Sequence, residues 1–237
     1  MTHIGIISCR RPTAPALMKQ HLEGLEVTWY VKDKIDLMSY IESGCNDGRV
    51  VIGGGLCEAR NLILKNAWEE NETAVMMDDD LMRIEMMAGK DNKLPITVKH
   101  AIKEMEDALD GSGLKLAGAA PTPNDFWYNP SRPFSFRNFI IAAMMVIRPC
   151  DLFFDENLRT KEDYDYTLQH IDRYGGAIRL NYVLPSFRHY GNKGGVVDYR
   201  TPELEQKSIA YLKDKWPNCI RDNPKRENEI LLSIPSF

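Results

Sequence analysis

Three consecutive carboxylates, Asp78, Asp79 and Asp80, follow directly on an apolar run, Ala74-Val75-Met76-Met77. Adjacent like charges repel, and placing them where a buried strand leaves the core calls for a compensating cation. A hard divalent ion, Mn²⁺ or Mg²⁺, meets that need because carboxylate oxygens are the ligands such ions prefer. A solvated acidic turn is the plain alternative. Two further groups bear on the choice. Glu58-Ala59-Arg60-Asn61 opens an amphipathic segment that leads into the strand. Lys161-Glu162-Asp163-Tyr164-Asp165, followed later by His189, adds a second acidic cluster and an imidazole.

The elements that must position these groups alternate along the chain. Residues 4–7, 27–31, 50–52 and 74–77 have the apolar, β-branched character of strands, with helical spacing over 14–25, 35–43 and 59–71. That alternation predicts an α/β fold, a mostly parallel Rossmann-like sheet with flanking helices in a single domain. Helices are also expected over 97–109 and 164–173, and strands over 114–119, 139–147 and 177–184. Ligands bind beyond the carboxyl ends of such sheets. Ser8 and Arg10 follow the first strand, Asp33 the second, Gly53-Gly54-Gly55 the third and the acidic triplet the fourth. The glycines permit close backbone approach, but they fit neither a dinucleotide fingerprint nor a P-loop, so a flexible turn is the simpler reading.

Bulk properties exclude several classes. A net charge of −4 announces no general polyanion binder, so any nucleic acid would dock on a local basic patch. The five cysteines form no Cys-x-x-Cys pair, which implies neither zinc ribbon nor disulfide framework and suits a reducing cytoplasm. No signal-peptide pattern precedes residues 4–7, and the longest apolar run, Phe139 to Ile147, is too short to span a bilayer. Residues 121–138 carry four prolines and five aromatics and read as a long functional loop. The tail, 201–237, is expected to be a helix and basic segment packed on the 1–200 domain. It places six Lys or Arg against two Asp between Lys207 and Arg226, whose plain reading is a solvated face.

The ordered set of Arg60-Asn61, Asp78-Asp79-Asp80, Glu162-Asp163 and His189 resembles the GT-A class of nucleotide-sugar glycosyltransferases. The resemblance implies that Asp80 binds the metal directly and that Asp78 contacts the ribose or the metal through water. His189 would complete the coordination, and Lys193 in Asn192-Lys193-Gly194-Gly195 would reach the diphosphate. Ser8, Arg10, Asp33, Arg60, Asn61 and Asp79 would line the donor. In inverting members the Glu-Asp motif lies at the acceptor, which makes Asp163 the general base and Glu162 its orienting partner. The helix-start alternative for Glu162 and Asp163, favoured by the macrodipole, is compatible with that role.

Within the class, the Asp triplet, Lys-Glu-Asp-Tyr-Asp-Tyr and His-Tyr-Gly-Asn-Lys-Gly-Gly are similar to the TET-associated, phage-type glycosyltransferases. Those enzymes attach sugars to 5-hydroxymethylcytosine in DNA. The resemblance, over about residues 4–200, implies a UDP-sugar donor, a Mn²⁺ or Mg²⁺ cofactor and 5-hydroxymethylcytosine-containing DNA as partner. For a phage protein it also implies the host cytoplasm. A GT-A enzyme with a protein, lipid or small-molecule acceptor, a metal-dependent nucleotidyltransferase and a catalytically silent DNA-binding relative are the rival readings.

Overall fold

The computed structural model describes residues 1–188 and 194–234. Its first half is a strand–helix alternation: β1 (Thr2–Ser8), α1 (Ala14–Met18), β2 (Val27–Val31), α2 (Lys34–Glu42), β3 (Val50–Ile52), α3 (Leu56–Glu69) and β4 (Thr73–Asp78). A hairpin, β5 (Leu81–Met87) and β6 (Lys93–Pro95), leads to α4 (Val98–Ser112) and β7 (Leu116–Ala119). Then come β8 (Phe134–Ser135), β9 (Met144–Ile147), α5 (Glu162–Tyr174), β10 (Ile178–Leu180) and β11 (Val183–Phe187). The chain closes with α6 (Pro202–Lys215), β12 (Ile220–Asp222) and β13 (Ile230–Leu232).

Eight strands form one sheet in the order β3-β2-β1-β4-β9-β7-β10-β8. β3, β2, β1 and β4 run parallel, as do β7 and β10, while β9 is antiparallel to both its neighbours. This is a mixed α/β domain with a large, mostly parallel, Rossmann-like sheet. β4 shows why the sheet lies inside the molecule. Val75 and Met77 face one core cluster, with α4, and Ala74 and Met76 face the other, with α3. A strand apolar on both sides needs cover on both sides.

Local chemistry fixes the covering helices. α4 buries Val98, Ala101, Ile102, Met105 and Leu109, one stripe at helical spacing. Thr97 Oγ1 accepts from His100 N at 3.1 Å to cap its start, and Gly113 ends it in the left-handed region. In α3, the Glu58 carboxylate reaches back to accept from the Gly55 amide and so satisfies a donor at the helix start. A Cβ on Gly53 would lie 2.8 Å from the Ala59 Cβ, so this glycine lets α3 sit against the β3 exit. The glycine triplet therefore serves helix packing and capping.

Three expectations change. The helix expected over 14–25 is helical only to Met18. The strand expected over 139–147 is regular only from Met144, and the one over 177–184 divides into β10 and β11. A second, antiparallel sheet, β11-β5-β6, was not foreseen and follows directly on the acidic triplet. No helix among the described residues is long and apolar enough to cross a membrane.

Candidate functional site

The parallel strands deliver their ends to one edge. β1 and β4 are paired so that Ile7 lies opposite Asp78, which sets Ser8 beside the triplet. Ser8 is buried, and its hydroxyl donates to Asp79 Oδ2 while sharing a hydrogen bond with the Tyr40 hydroxyl. The other Asp79 oxygen accepts from Arg11 Nη1 at 2.5 Å. Burial pushes the Asp79 carboxyl up, against the pull of Ser8 and Arg11. Both Asp79 oxygens are thus held from within, and the middle carboxylate is a bracing residue. Arg11 Nη1 also lies 3.8 Å from Asp80 Oδ2.

Arg10 turns the other way. It adopts a positive φ of 58° and pairs with Asp33 at 2.5 Å and Asp36 at 3.0 Å. Asp33 at the same time caps α2 by accepting from the Ile35 and Asp36 amides. The Arg10 guanidinium holds the Asp33 carboxyl at about 2, well below the usual range. Arg10 and Asp33 therefore form a mutually neutralised pair on the rim.

Arg60 joins the two acidic clusters. It is buried, with Nε 3.2 Å from Glu162 Oε1 and Nη2 3.8 Å from Asp78 Oδ1. Nη1 donates to the Ala142 carbonyl at 3.2 Å, and the guanidinium lies 5.4 Å from the Phe154 ring centre. Burial works against the Arg60 charge, and the carboxylates of Glu162, Asp78 and Asp163 outweigh it. Ala142 and Ala143 lead into antiparallel β9, so they reach the same edge as the ends of β1 and β4. The Asp78 amide donates to the Ala143 carbonyl at 3.0 Å. The convergence is topological: residues 60, 78, 142 and 162 meet because α3 starts, β4 ends, β9 starts and α5 starts there.

No family model matches the chain, and no curated protein matches it. Among solved structures, the crystal structure of A197 from STIV aligns over 99% of this chain and 95% of its own. At 9% identity and a TM-score of 0.38, that likeness carries no argument. What the site can do rests on its own geometry.

Two carboxylates of the joined cluster are shifted well above the ordinary carboxylate range. Loss of water pushes Asp163 up to about 7, with the Glu162 charge adding to it and Arg60, the Ala142 amide and Lys161 opposing. Burial likewise raises Asp78 to about 7, against Arg60 and with Asp80, Asp79 and Glu162 adding, although its side chain stays 32% exposed. Asp78 and Asp80 would offer carboxylate oxygens to a cation at this edge. Among the described residues, no group of three His, Cys, Asp or Glu side chains is arranged to hold a metal. A divalent ion bound with a nucleotide needs only one or two carboxylates, because phosphate and water oxygens complete its shell. This all-oxygen donor set fits Mg²⁺ or Mn²⁺.

Other expected residues fall elsewhere. The Asn61 amide donates to the Phe154 carbonyl at 2.9 Å and to Glu156 at 3.0 Å, and its oxygen accepts from the Phe154 amide at 2.8 Å. Asn61 thus positions the 154–156 loop beneath Arg60 and has no function left for a ligand. Asp165, the last carboxylate of the 161–165 run, is fully buried between Lys215, Trp216 and Gln169 at 2.9, 2.7 and 2.7 Å, away from the Arg60 junction's partners. His189 and Lys193 lie outside the described residues.

Two of the six cations of the basic tail are answered from within. Lys213 pairs with Asp222 at 2.7 Å, and Lys215 with Asp155 at 2.7 Å. Lys161 pairs with Glu205 at 2.5 Å and Thr160 with Ser208 at 2.9 Å, so α6 clamps the start of α5. The residue missed in the sequence is Arg11. Its signal was the basic pair Arg10-Arg11 just past β1, beside the end of whichever strand pairs with β1.

Proposed function

We propose that the chain is a metal-dependent GT-A glycosyltransferase that moves a sugar from a UDP-sugar to a hydroxyl by an inverting mechanism. The acceptor is 5-hydroxymethylcytosine in DNA. The observation that carries this reading is the Arg60 junction. A single buried guanidinium ties Asp78, on the donor side, to Glu162 and its neighbour Asp163, on the acceptor side. Donor and acceptor groups of one displacement reaction must share one edge, and these do.

Each residue then has a task. Asp78 and Asp80 would hold Mn²⁺ or Mg²⁺, which when bound supplies Lewis-acid neutralisation of the diphosphate. Glu162, fixed by Arg60, orients the acceptor. The acceptor oxygen bonds to the anomeric carbon as the bond from that carbon to the diphosphate oxygen breaks. UDP leaves with the electron pair, and the hydroxyl proton passes to an Asp163 carboxylate oxygen. A base held near 7 suits this transfer, since proton acceptors work best with a pKa near the working pH. The DNA acceptor draws support from the exposed aromatics of the 121–138 loop, with Phe126 78% exposed and Phe136 51% exposed, because an extruded base stacks on such rings.

A second reading keeps the donor site and changes the acceptor to a protein, lipid or small-molecule hydroxyl. It is favoured by the net charge of −4 and by the internal pairing of Lys213 and Lys215, which leaves Lys207, Arg221, Lys225 and Arg226 as the tail's cations for phosphate. One experiment separates the readings. The protein is incubated with Mn²⁺, a panel of nucleotide-sugars and DNA with or without 5-hydroxymethylcytosine, and the digested nucleosides are weighed. A one-sugar mass gain confined to hydroxymethylated DNA supports the proposal. Donor hydrolysis without DNA modification moves the acceptor elsewhere, and no donor turnover or UDP binding rejects the transferase.

A further inference from the structure

We infer that Arg11 is a resident counter-cation of Asp79 and Asp80 and competes with the divalent cation for Asp80. The inference rests on the metal-dependent reading above, and concerns a residue to which that reading gives no part. The Arg11 side chain is only 17% exposed and is held on two sides. Nη1 reaches Asp79 at 2.5 Å and Asp80 at 3.8 Å, and Nη2 donates to the Gly194 carbonyl at 3.1 Å. Gly194 and Gly195 press against the loop that carries Arg11. The Gly195 amide donates to the Cys9 carbonyl at 3.1 Å, and a Cβ on Gly194 would lie 2.5 Å from that oxygen. Gly194 also has φ of +89°, so only glycine suits this close approach. The 8–11 loop and the 194–195 segment thus bracket the guanidinium over the triplet.

Adjacent carboxylates need positive charge beside them whether or not a metal is present, and Arg11 supplies one to Asp79 and Asp80 as Arg60 does to Asp78. That charge then works against a second cation at the same oxygens. A unit charge within about 4–6 Å shifts the affinity of a carboxylate for a proton by about 10- to 1,000-fold. A divalent ion carries twice the proton's charge, so loss of Arg11 tightens its binding by about tenfold or more. The pair is mostly buried, which limits screening by salt.

The test uses Mn²⁺ alone, with no nucleotide, titrated into the whole chain and followed by the electron spin resonance of free Mn²⁺. Arg11→Gln should bind Mn²⁺ about tenfold more tightly than wild type, while Arg11→Lys, which keeps the charge, stays near wild type. Equal or weaker binding by a folded Arg11→Gln overturns the inference and leaves the metal-dependent reading intact. Failure of every protein to bind Mn²⁺, with UDP or without, removes both. Because Asp79 is buried, Arg11→Gln can fail to fold. Asp79→Asn with and without Arg11→Gln then makes the same comparison with the buried charge removed, and the double variant should again bind more tightly.

Discussion

Replacing Arg60 with methionine should destabilise the fold by an amount that depends strongly on pH. Methionine keeps much of the length and apolar contact of the arginine stem, including the face toward Phe154, but removes the charge. At an effective dielectric constant of about 20, charges separated by the 3.2 Å of the Glu162 contact attract by about 5 kcal/mol. Desolvation of both partners offsets part of this, and breaking a buried pair by removing one partner costs about 3–5 kcal/mol. The Ala142 carbonyl also loses its donor, which adds about 1–3 kcal/mol if no water replaces it. The carboxylates have one escape, which is to take up protons. Asp78 and Asp163 are already raised to about 7 with Arg60 opposing the rise, so its removal raises them further. A carboxyl raised in the native state binds more protons there than in the unfolded chain, so stability falls as pH rises through the shifted range. Urea unfolding of both proteins near about pH 5.5 and about pH 8.5 should therefore give a deficit of several kcal/mol at the higher pH and a much smaller one at the lower. A deficit that is equal at the two pH values would refute the Arg60 junction as the electrostatic link between the clusters.

If Asp163 takes the acceptor proton, transfer should rise about tenfold per pH unit below about pH 7 and level off above it, and Asp163→Asn should lose about 10²–10⁴ in rate with UDP affinity unchanged. A flat pH–rate profile through that range, or loss of UDP binding in the variant, would move the base elsewhere. His170 is buried, neither ring nitrogen has a hydrogen-bond partner among the described residues, and burial lowers it to about 3, so its contribution to stability is fully present above its ordinary value near 6.5 and is lost as pH falls through that value toward 3. His170→Phe should therefore gain thermal stability relative to wild type at about pH 5 more than at about pH 8, and a constant difference between the two melting curves would count against it. Asp165→Ala takes the acceptor from the Trp216 indole and the Gln169 amide while Lys215 keeps Asp155, so it should cost about 1–3 kcal/mol and expose the 201–232 segment to limited proteolysis. An unchanged digestion pattern would show that the tail is held by other contacts.

What could be read from the sequence follows the range of the interactions involved. β1 and β4 were legible because a strand covered on both faces is apolar at nearly every position. α4 was legible because a one-sided helix repeats its apolar residues at a fixed spacing. β5 was not, since its buried residues are Leu81, Ile84 and Met87, a spacing of three in a strand, and its partner β11 carries an irregularity between Ser186 and Phe187. Register shifts of that kind erase the two-residue alternation on which strand recognition depends. The tail's ion pairs were not legible for a similar reason. Lys213 and Lys215 look like solvated cations until Asp222, Asp155 and Asp165 are brought to them, and Asp155 lies 60 residues away in the chain.

The two arginines after β1 show where composition stops being informative. Arg10 and Arg11 are adjacent and chemically identical, yet one neutralises Asp33 and Asp36 on the rim and the other Asp79 and Asp80 at the site. The difference is a backbone one. With φ of 58° at Arg10, the chain reverses locally and sends consecutive side chains to opposite sides. The pairing of Ile7 with Asp78 then decides that the inward one meets the triplet. An acidic triplet at the end of β4 and a basic pair at the end of β1 were both visible, and only the β1–β4 adjacency makes them one site. The same holds for Arg60 and Glu162, which are joined because β9 runs antiparallel and opens its start at the edge where β4 ends. Sheet order, more than any single motif, turns separated charges into a set that can act on one ligand.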